Sequence, residues 1–216
     1  MNCLRDFCHV SVPPDDQVCE AYRQTRQSVL ELLERTPESF ATLVVPACPD
    51  WTVQQTASHL VGVPEDLLAQ RMEGITSDAW TNAQVQRHAG DSLEELRYAL
   101  EQTIALFDAM LPAISSPSNS QLVMDALTHE IDLREALGLE CEESSLPLSV
   151  AKAWLLDLIE RRGPSASAAV QSAECSDLEL VRALTGRRSA AQMDELGLPG
   201  AQIVAALAGT PLKPPA

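Results

Sequence analysis

The sequence is short of lysine, of aromatic residues and of long apolar runs. Only two lysines occur, and the 15 basic residues face 31 acidic ones, which gives a net charge of −16. A surface of this charge repels nucleic-acid phosphates and anionic lipid head groups, so neither is expected as a partner. No run of about 18 apolar residues is present, so no segment is predicted to span a membrane.

The cysteines are too scattered to suggest a disulfide framework. The six lie at positions 3, 8, 19, 48, 141 and 175, and such a pattern is typical of reduced thiols. Residues 1–14 lack the apolar run of a signal peptide. Together these absences predict a cytoplasmic protein.

Two common groups of hydrolases are also excluded by missing motifs. The chain has no G-x-S-x-G elbow and no H-E-x-x-H helix, which argues against the usual serine hydrolases and zincins.

What is present favours helices. Aromatic residues make up 4% of the chain and apolar residues 45%, and Ala and Leu supply most of the apolar count. Apolar spacing, proline positions and capping residues predict helices over 17–35, 52–72, 92–111 and 121–137. Thr52 is the expected N-cap of the second helix, and Ser92 with Glu95 forms a capping box for the third.

These four helices predict a mainly α fold, with a four-helix bundle over residues 17–140 after an irregular segment at 1–16. The C-terminal part, 148–208, is predicted as a small α/β appendage. It has helical patterns at 150–161 and 177–184 and a short strand at 168–172.

The fourth helix carries polar residues on its apolar face. Advancing 100° per residue places Asp125 and His129 among core positions of that face, and their spacing of four points both side chains toward one place. Burying a carboxylate and an imidazole is costly unless something satisfies them. A divalent cation does so, and so does a hydrogen bond within the pair or to a neighbouring helix.

His59 lies on the flank of the second helix's apolar face, from where it can point into the bundle. One histidine from this helix and the Asp125–His129 pair from another make three metal ligands. Three protein ligands leave a coordination position open, which is typical of catalytic zinc sites.

Three segments resemble one family in order and spacing. They are VPACPDWTV at 45–53 followed by ASHLVG at 57–62, then DALTHEIDLREALG at 125–138, and SDLELVRALTGRRSAAQ at 176–192. These segments look like the signatures of DinB-like, mycothiol-dependent maleylpyruvate isomerases. The resemblance implies a DinB-like bundle, with His59, Asp125 and His129 as the metal ligands. The sequence departs from the family pattern at two points: it has Asp125 where Glu is more usual, and its C-terminal part is short.

The resemblance also implies a chemistry. Zinc and mycothiol are the expected cofactors, and the metal-held thiolate would attack a small electrophile in an isomerase or transferase reaction. Arg187 and Arg188 are the candidate catalytic groups, because a guanidinium can grip an acidic substrate. The alternative for both arginines is a solvated helix end.

Other functions stay open from the sequence. A non-catalytic metal-binding bundle with a sequestering or regulatory role would keep the same ligands, and so would a metal-assisted hydrolase. A homodimer is compatible with the sequence. Cys3, Cys8 and His9 form only a weak metal pattern, and the default expectation for them is a loose, reduced terminus.

Overall fold

The structure, a computed structural model, describes residues 13–215, and it is mainly helical over that range. The helices are α1 (Asp15–Arg35), α2 (Val53–Leu68), α3 (Asp78–Arg87), α4 (Leu93–Met110), α5 (Ser118–Ala136), α6 (Leu146–Arg162), α7 (Pro164–Gln171), α8 (Asp177–Leu184), α9 (Ala190–Glu195) and α10 (Gly200–Leu207). The strands found within the described range are β1 (Val44–Val45) and β2 (Cys48–Thr52). None of the helices in this range combines the length and the apolar character needed to cross a bilayer.

Helices α1, α2, α4 and α5 form the predicted bundle. Each packs on two of the others, in the cyclic order α1, α5, α2, α4. Their apolar faces meet in one core, which contains fully buried residues such as Leu96 and Phe107. The predicted mainly α fold with a four-helix bundle is therefore confirmed.

Local capping residues determine where two of the bundle helices, α2 and α4, begin. Thr52 and Gln55 form a complete capping box at the start of α2, and Ser92 and Glu95 form another at the start of α4. Each box satisfies backbone N–H groups that a helix start leaves without partners. The predicted caps at Thr52 and Ser92 are confirmed.

A short antiparallel hairpin precedes α2. Val45 pairs with Cys48 and Val44 with Thr52, and Val45 is fully buried in the bundle core. Strand β2 runs into α2 at Thr52, and β1 packs against α5. The hairpin thus places the side chains of β2 beside both helices that carry the candidate ligands.

Helix α3 lies between the predicted helices 52–72 and 92–111, in a segment where the sequence predicts no helix. Ser77 caps the helix by accepting a hydrogen bond from the backbone N–H of Trp80. Only Gln84 and Val85 of this helix are buried. Because it lacks an apolar stripe at helical spacing, its periodicity gives no signal for a helix.

The C-terminal part is helical rather than α/β. The strand predicted at 168–172 is wrong, since α7 covers most of it. Residues 164–171 (PSASAAVQ) begin with proline at the first helical position and are rich in alanine, both of which favour a helix. From 146 to 215 the described residues contain no strand.

Two apolar clusters share α5. Val123 and Leu133 of this helix belong to the bundle core, while Met124, Leu127 and Ile131 pack with helices α6 to α10. The division into domains at 17–140 and 148–208 stays a prediction.

Candidate metal centre

His59 on α2 and the Asp125–His129 pair on α5 meet inside the bundle. One ligand atom from each lies within 4.8 Å of the others. Nε2 of His59 is 3.4 Å from Oδ2 of Asp125, and the two imidazole rings are edge to face with centroids 4.9 Å apart. The structure therefore brings together the three residues that the sequence predicts as ligands.

Each imidazole is held through its Nδ1 by another side chain. Nδ1 of His59 is 2.7 Å from Oε1 of Gln84, and Nδ1 of His129 is 3.1 Å from Oδ2 of Asp132. Both partners present an oxygen that accepts a hydrogen bond, so each ring carries its proton on Nδ1. In the neutral form of each ring, Nε2 is then left with its lone pair, the form in which histidine binds a metal.

The donor set and its spacing fit a divalent ion. Two imidazole nitrogens and a carboxylate oxygen form a set that catalytic zinc sites use. Two ligands each about 2.0 Å from a tetrahedral ion lie about 3.3 Å apart. The 3.4 Å between His59 and Asp125 is close to that value. Without an ion, the same two groups form an ion pair, which is the alternative left open by the sequence.

The charges around the site act differently on the two histidines. Burial by itself lowers the pKa of His59, but the Asp125 carboxylate and the hydrogen bonds outweigh it and raise that pKa above its usual value. Burial lowers the pKa of His129, and although Asp132 opposes it, the result is below the usual value. His129 is therefore uncharged at neutral pH.

Asp132 links the site to Arg187. The guanidinium of Arg187 donates from Nη2 to Oδ2 of Asp132 at 2.6 Å and from Nε to Oδ1 at 3.1 Å. Burial alone raises the pKa of Asp132, but the hydrogen bond to His129 and the Arg187 charge outweigh it and hold that pKa well below its usual range. Asp132 is thus a fixed carboxylate between an imidazole and a guanidinium.

A second trio, Cys48, His129 and Asp132, also has ligand atoms close together. The Arg187 guanidinium already supplies a positive charge to two members of this trio. Its Nη2 lies 3.3 Å from Sγ of Cys48 and 2.6 Å from Oδ2 of Asp132. Burial also raises the pKa of the Cys48 thiol to about 11. Because Arg187 already occupies the place between Cys48 and Asp132, His59, Asp125 and His129 are the better candidates.

The two candidate arginines have different partners in the structure. Arg187 lies at the centre, but its Nε, Nη1 and Nη2 already donate to protein acceptors, including the Thr185 carbonyl at 2.7 Å. Arg188 instead grips the Glu179 carboxylate with two hydrogen bonds of 2.8 Å. The structure brings only Arg187 to the site.

Trp51 and Gln84 complete the surroundings of the two imidazoles. The Trp51 ring is 5.4 Å from that of His59 and 5.6 Å from that of His129, centroid to centroid. Neither residue is predicted as part of the site from the sequence. Nothing in the sequence singles out Gln84, because its partner His59 is 25 residues away.

A narrow crevice opens beside Asp125 between the bundle helices. It is lined by Tyr22, Arg26, Val29, Leu60, Val63, Leu100, Leu122, Asp125 and Ala126, and has room for about one water molecule. Burial, reinforced by Asp125 and opposed by Arg26, raises the pKa of Tyr22 well above its usual value. The Tyr22 hydroxyl is therefore a proton-bearing donor at neutral pH.

The second metal pattern suggested by the sequence, Cys3, Cys8 and His9, lies outside the described residues.

Comparison with known proteins gives one family and one related structure. The model of the family "Mycothiol maleylpyruvate isomerase N-terminal domain" matches residues 22–137. The crystal structure of a histidine-to-alanine mutant of mycothiol-dependent maleylpyruvate isomerase has a similar fold, with a TM-score of 0.56 at 14% identity. That match covers 81% of this chain and 90% of the other. No curated protein sequence matches the chain.

Proposed function

We propose, since the chain belongs to the mycothiol maleylpyruvate isomerase N-terminal domain family, that it is a metal-dependent transferase or isomerase that uses mycothiol on a small electrophilic molecule. A maleylpyruvate-like substrate is the first to test. Cytoplasmic location and the absence of nucleic-acid and membrane partners are part of the same proposal, which leaves a homodimer open.

The observation that carries the proposal is the convergence of His59, Asp125 and His129 from two helices. His59 and His129 would hold the ion through Nε2 and Asp125 through its carboxylate, and zinc is the ion that this donor set suits best. A bound zinc ion supplies a strong lowering of the pKa of a thiol, which makes the thiolate available at neutral pH.

The chain's own residues prepare the site for that chemistry. Asp132 fixes the His129 ring, and Arg187 in turn fixes Asp132. The side chains of His129, Asp132 and Arg187 are at most about a tenth exposed, so the arrangement is set before any ligand arrives. Arg187 thereby acts through Asp132. An acidic substrate could bind the Arg187 guanidinium only by displacing one of the protein acceptors that it now donates to.

The acidic ligand of the proposed site is Asp125, which has a shorter side chain than the residue usual in the family. The family more often has Glu before the final His, and Asp is one methylene shorter. In this chain the Asp125 carboxylate still reaches to within 3.4 Å of Nε2 of His59. The shorter side chain is thus compatible with a shared ion.

One observation favours a second candidate, a metal-assisted hydrolase. The crevice beside Asp125 has room for about one water molecule, and activated water is the nucleophile in such enzymes. A metal-binding bundle without turnover is the third candidate, and it needs the same three ligands.

The experiment is an assay of the zinc-loaded protein with mycothiol and a panel of electrophiles that includes maleylpyruvate. Thiol-dependent turnover that disappears in His59→Ala but persists in Gln86→Ala, an exposed position on α3, supports the proposal. Hydrolysis that needs metal but no thiol favours the hydrolase. Tight zinc binding with no turnover of any tested compound favours the sequestering or regulatory role.

A further inference from the structure

Gln84 is fully buried between α3 and α2, and its side-chain amide is fixed in one orientation. Its Nε2 donates to Oδ2 of Asp66 at 2.8 Å. The other oxygen of Asp66 accepts from Nε of Arg71 at 2.6 Å and from Nη2 of Arg87 at 2.5 Å. A carboxylate held by two guanidinium groups accepts hydrogen bonds and donates none, so the NH₂ end of Gln84 must face Asp66.

The orientation of the amide determines which nitrogen of His59 bears the proton. With its NH₂ end on Asp66, Gln84 presents Oε1 to Nδ1 of His59 at 2.7 Å. An oxygen at that distance accepts a hydrogen bond and therefore requires a proton on Nδ1. Nε2, the nitrogen that faces Asp125, is then the unprotonated one in the neutral ring.

We propose that Gln84 is a positioning residue that sets the tautomer and ring orientation of His59 for metal binding through Nε2, with Asp66, Arg71 and Arg87 fixing the amide behind it. This inference rests on the proposed metal centre. It assigns a role in that centre to a helix that supplies no ligand.

Gly62 makes the contact sterically feasible. It lies on α2 one turn after His59, where any side chain would collide with Gln84. A Cβ added to Gly62 would lie 2.6 Å from Cγ of Gln84 and closer still to its Cβ. Glycine in a helix interior lowers stability relative to alanine. Its presence is explained by the close approach that brings Gln84 to His59.

The two histidines are thus oriented by different chemistry. His129 donates to a buried carboxylate, Asp132, whereas His59 donates to a neutral amide. Asp66 carries the negative charge behind Gln84, one residue further from the ring, where Arg71 and Arg87 neutralise it. The arrangement orients His59 without adding another carboxylate next to Asp125.

The first test uses the wild-type protein. Zinc is diamagnetic, so a long-range ¹H–¹⁵N spectrum of the zinc-loaded protein reports which nitrogen of His59 bears the proton. We expect a protonated Nδ1 that exchanges slowly with water and a metal-bound Nε2. Ligation through Nδ1 would overturn the inference even if zinc binds tightly.

The second test measures zinc affinity by competition with a chelator. Gln84→Met keeps the length of the side chain and removes the acceptor, and we expect an affinity about 10- to 100-fold lower. Gly62→Ala should lower the affinity in the same direction by displacing Gln84. Gln86→Met, on the exposed face of the same helix, is the matched control and should bind like the wild type.

The possible outcomes distinguish the role of Gln84 from the existence of the metal centre. Wild-type zinc affinity in Gln84→Met would overturn the role of Gln84 and leave the metal centre standing. Failure of the wild type to bind zinc at all would overturn both. If Gln84→Met does not fold, the tautomer measured in the wild type still decides the question.

Discussion

Arg187 and Asp132 form a buried pair in which the guanidinium donates to both carboxylate oxygens, at 2.6 and 3.1 Å. The Asp132 side chain is fully buried and that of Arg187 is 10% exposed. The pair joins the segment after α8 to the helix that carries Asp125 and His129. Its disruption should therefore affect both the stability of the fold and the metal centre.

Asp132→Asn should destabilise the protein by about 3 kcal/mol, because it leaves the Arg187 charge buried without its partner. Urea unfolding followed by circular dichroism measures the change. Asp78→Asn is the matched control, since Asp78 pairs with Lys213 at the surface, where the two side chains are 76% and 67% exposed. There we expect a change below about 0.5 kcal/mol. Equal effects at the two sites would contradict the assignment of Asp132 to a buried ion pair.

Helix α4 offers a second matched comparison. Leu96 is fully buried in the bundle core and Leu106 is 67% exposed. Leu96→Ala should lower the free energy of unfolding by about 3 kcal/mol, because it removes buried apolar surface and leaves a cavity. Leu106→Ala should leave it nearly unchanged. A large loss at Leu106 would show that its side chain is covered in solution.

His88 should make the stability depend on pH. Hydrogen bonds to Glu65 and, more weakly, to Asp91 outweigh burial and raise the pKa of His88 above its usual value of about 6.5. The protonated ring is thus the form that the folded state favours. The stabilisation is complete below the unfolded pKa, near pH 6.5, and is lost as the pH rises through the raised folded value.

The measurement is the free energy of unfolding at pH 6 and pH 8.5 in the wild type and in His88→Gln. Because His59 and His129 are present in both proteins, the difference between the two profiles isolates His88. The wild type should lose more stability than the variant between these pH values. Parallel profiles would exclude a contribution of His88.

Zinc should stabilise the fold through the proposed ligands. A ligand present at 100 times its Kd and bound only by the folded state adds about 2.7 kcal/mol. Differential scanning calorimetry should therefore show a rise in Tm with zinc for the wild type and little or none for His129→Ala. A rise of equal size in that variant would place the ion elsewhere.

The sequence predicted best what local patterns determine. The N-cap predicted at Thr52 and the capping box predicted at Ser92 and Glu95 depend on residues at most three positions apart, and both are present. The Asp125–His129 pair is a spacing on a single helix, and placing His59 opposite it needed only the bundle. These features could be predicted because each depends on neighbours in the sequence or on helical periodicity.

Contacts between distant segments could not be predicted in this way. Gln84 belongs to a helix without an apolar stripe, and its importance comes from Asp66 and His59 on α2. The polar neighbours of His88 in the sequence favour a surface position, yet the residue is only 6% exposed. Glu65 and Asp91 satisfy both of its ring nitrogens, which makes that burial affordable.

Adjacent residues can also have different partners. Arg187 and Arg188 were predicted as a pair, but the chain turns after α8 and sends one guanidinium to Asp132 and the other to Glu179. The sequence contains the two charges, but the fold determines which acceptors they reach.

Because α5 packs in both apolar clusters, the four-helix bundle that holds the candidate ligands is smaller than the smallest part of the chain expected to be stable. Met124, Leu127 and Ile131 point away from the bundle core and are covered by the C-terminal helices. A chain cut after residue 143 would keep every candidate ligand, but it would expose this apolar strip along the very helix that carries two of them. Self-association through that strip is then the expected fate of the truncated protein.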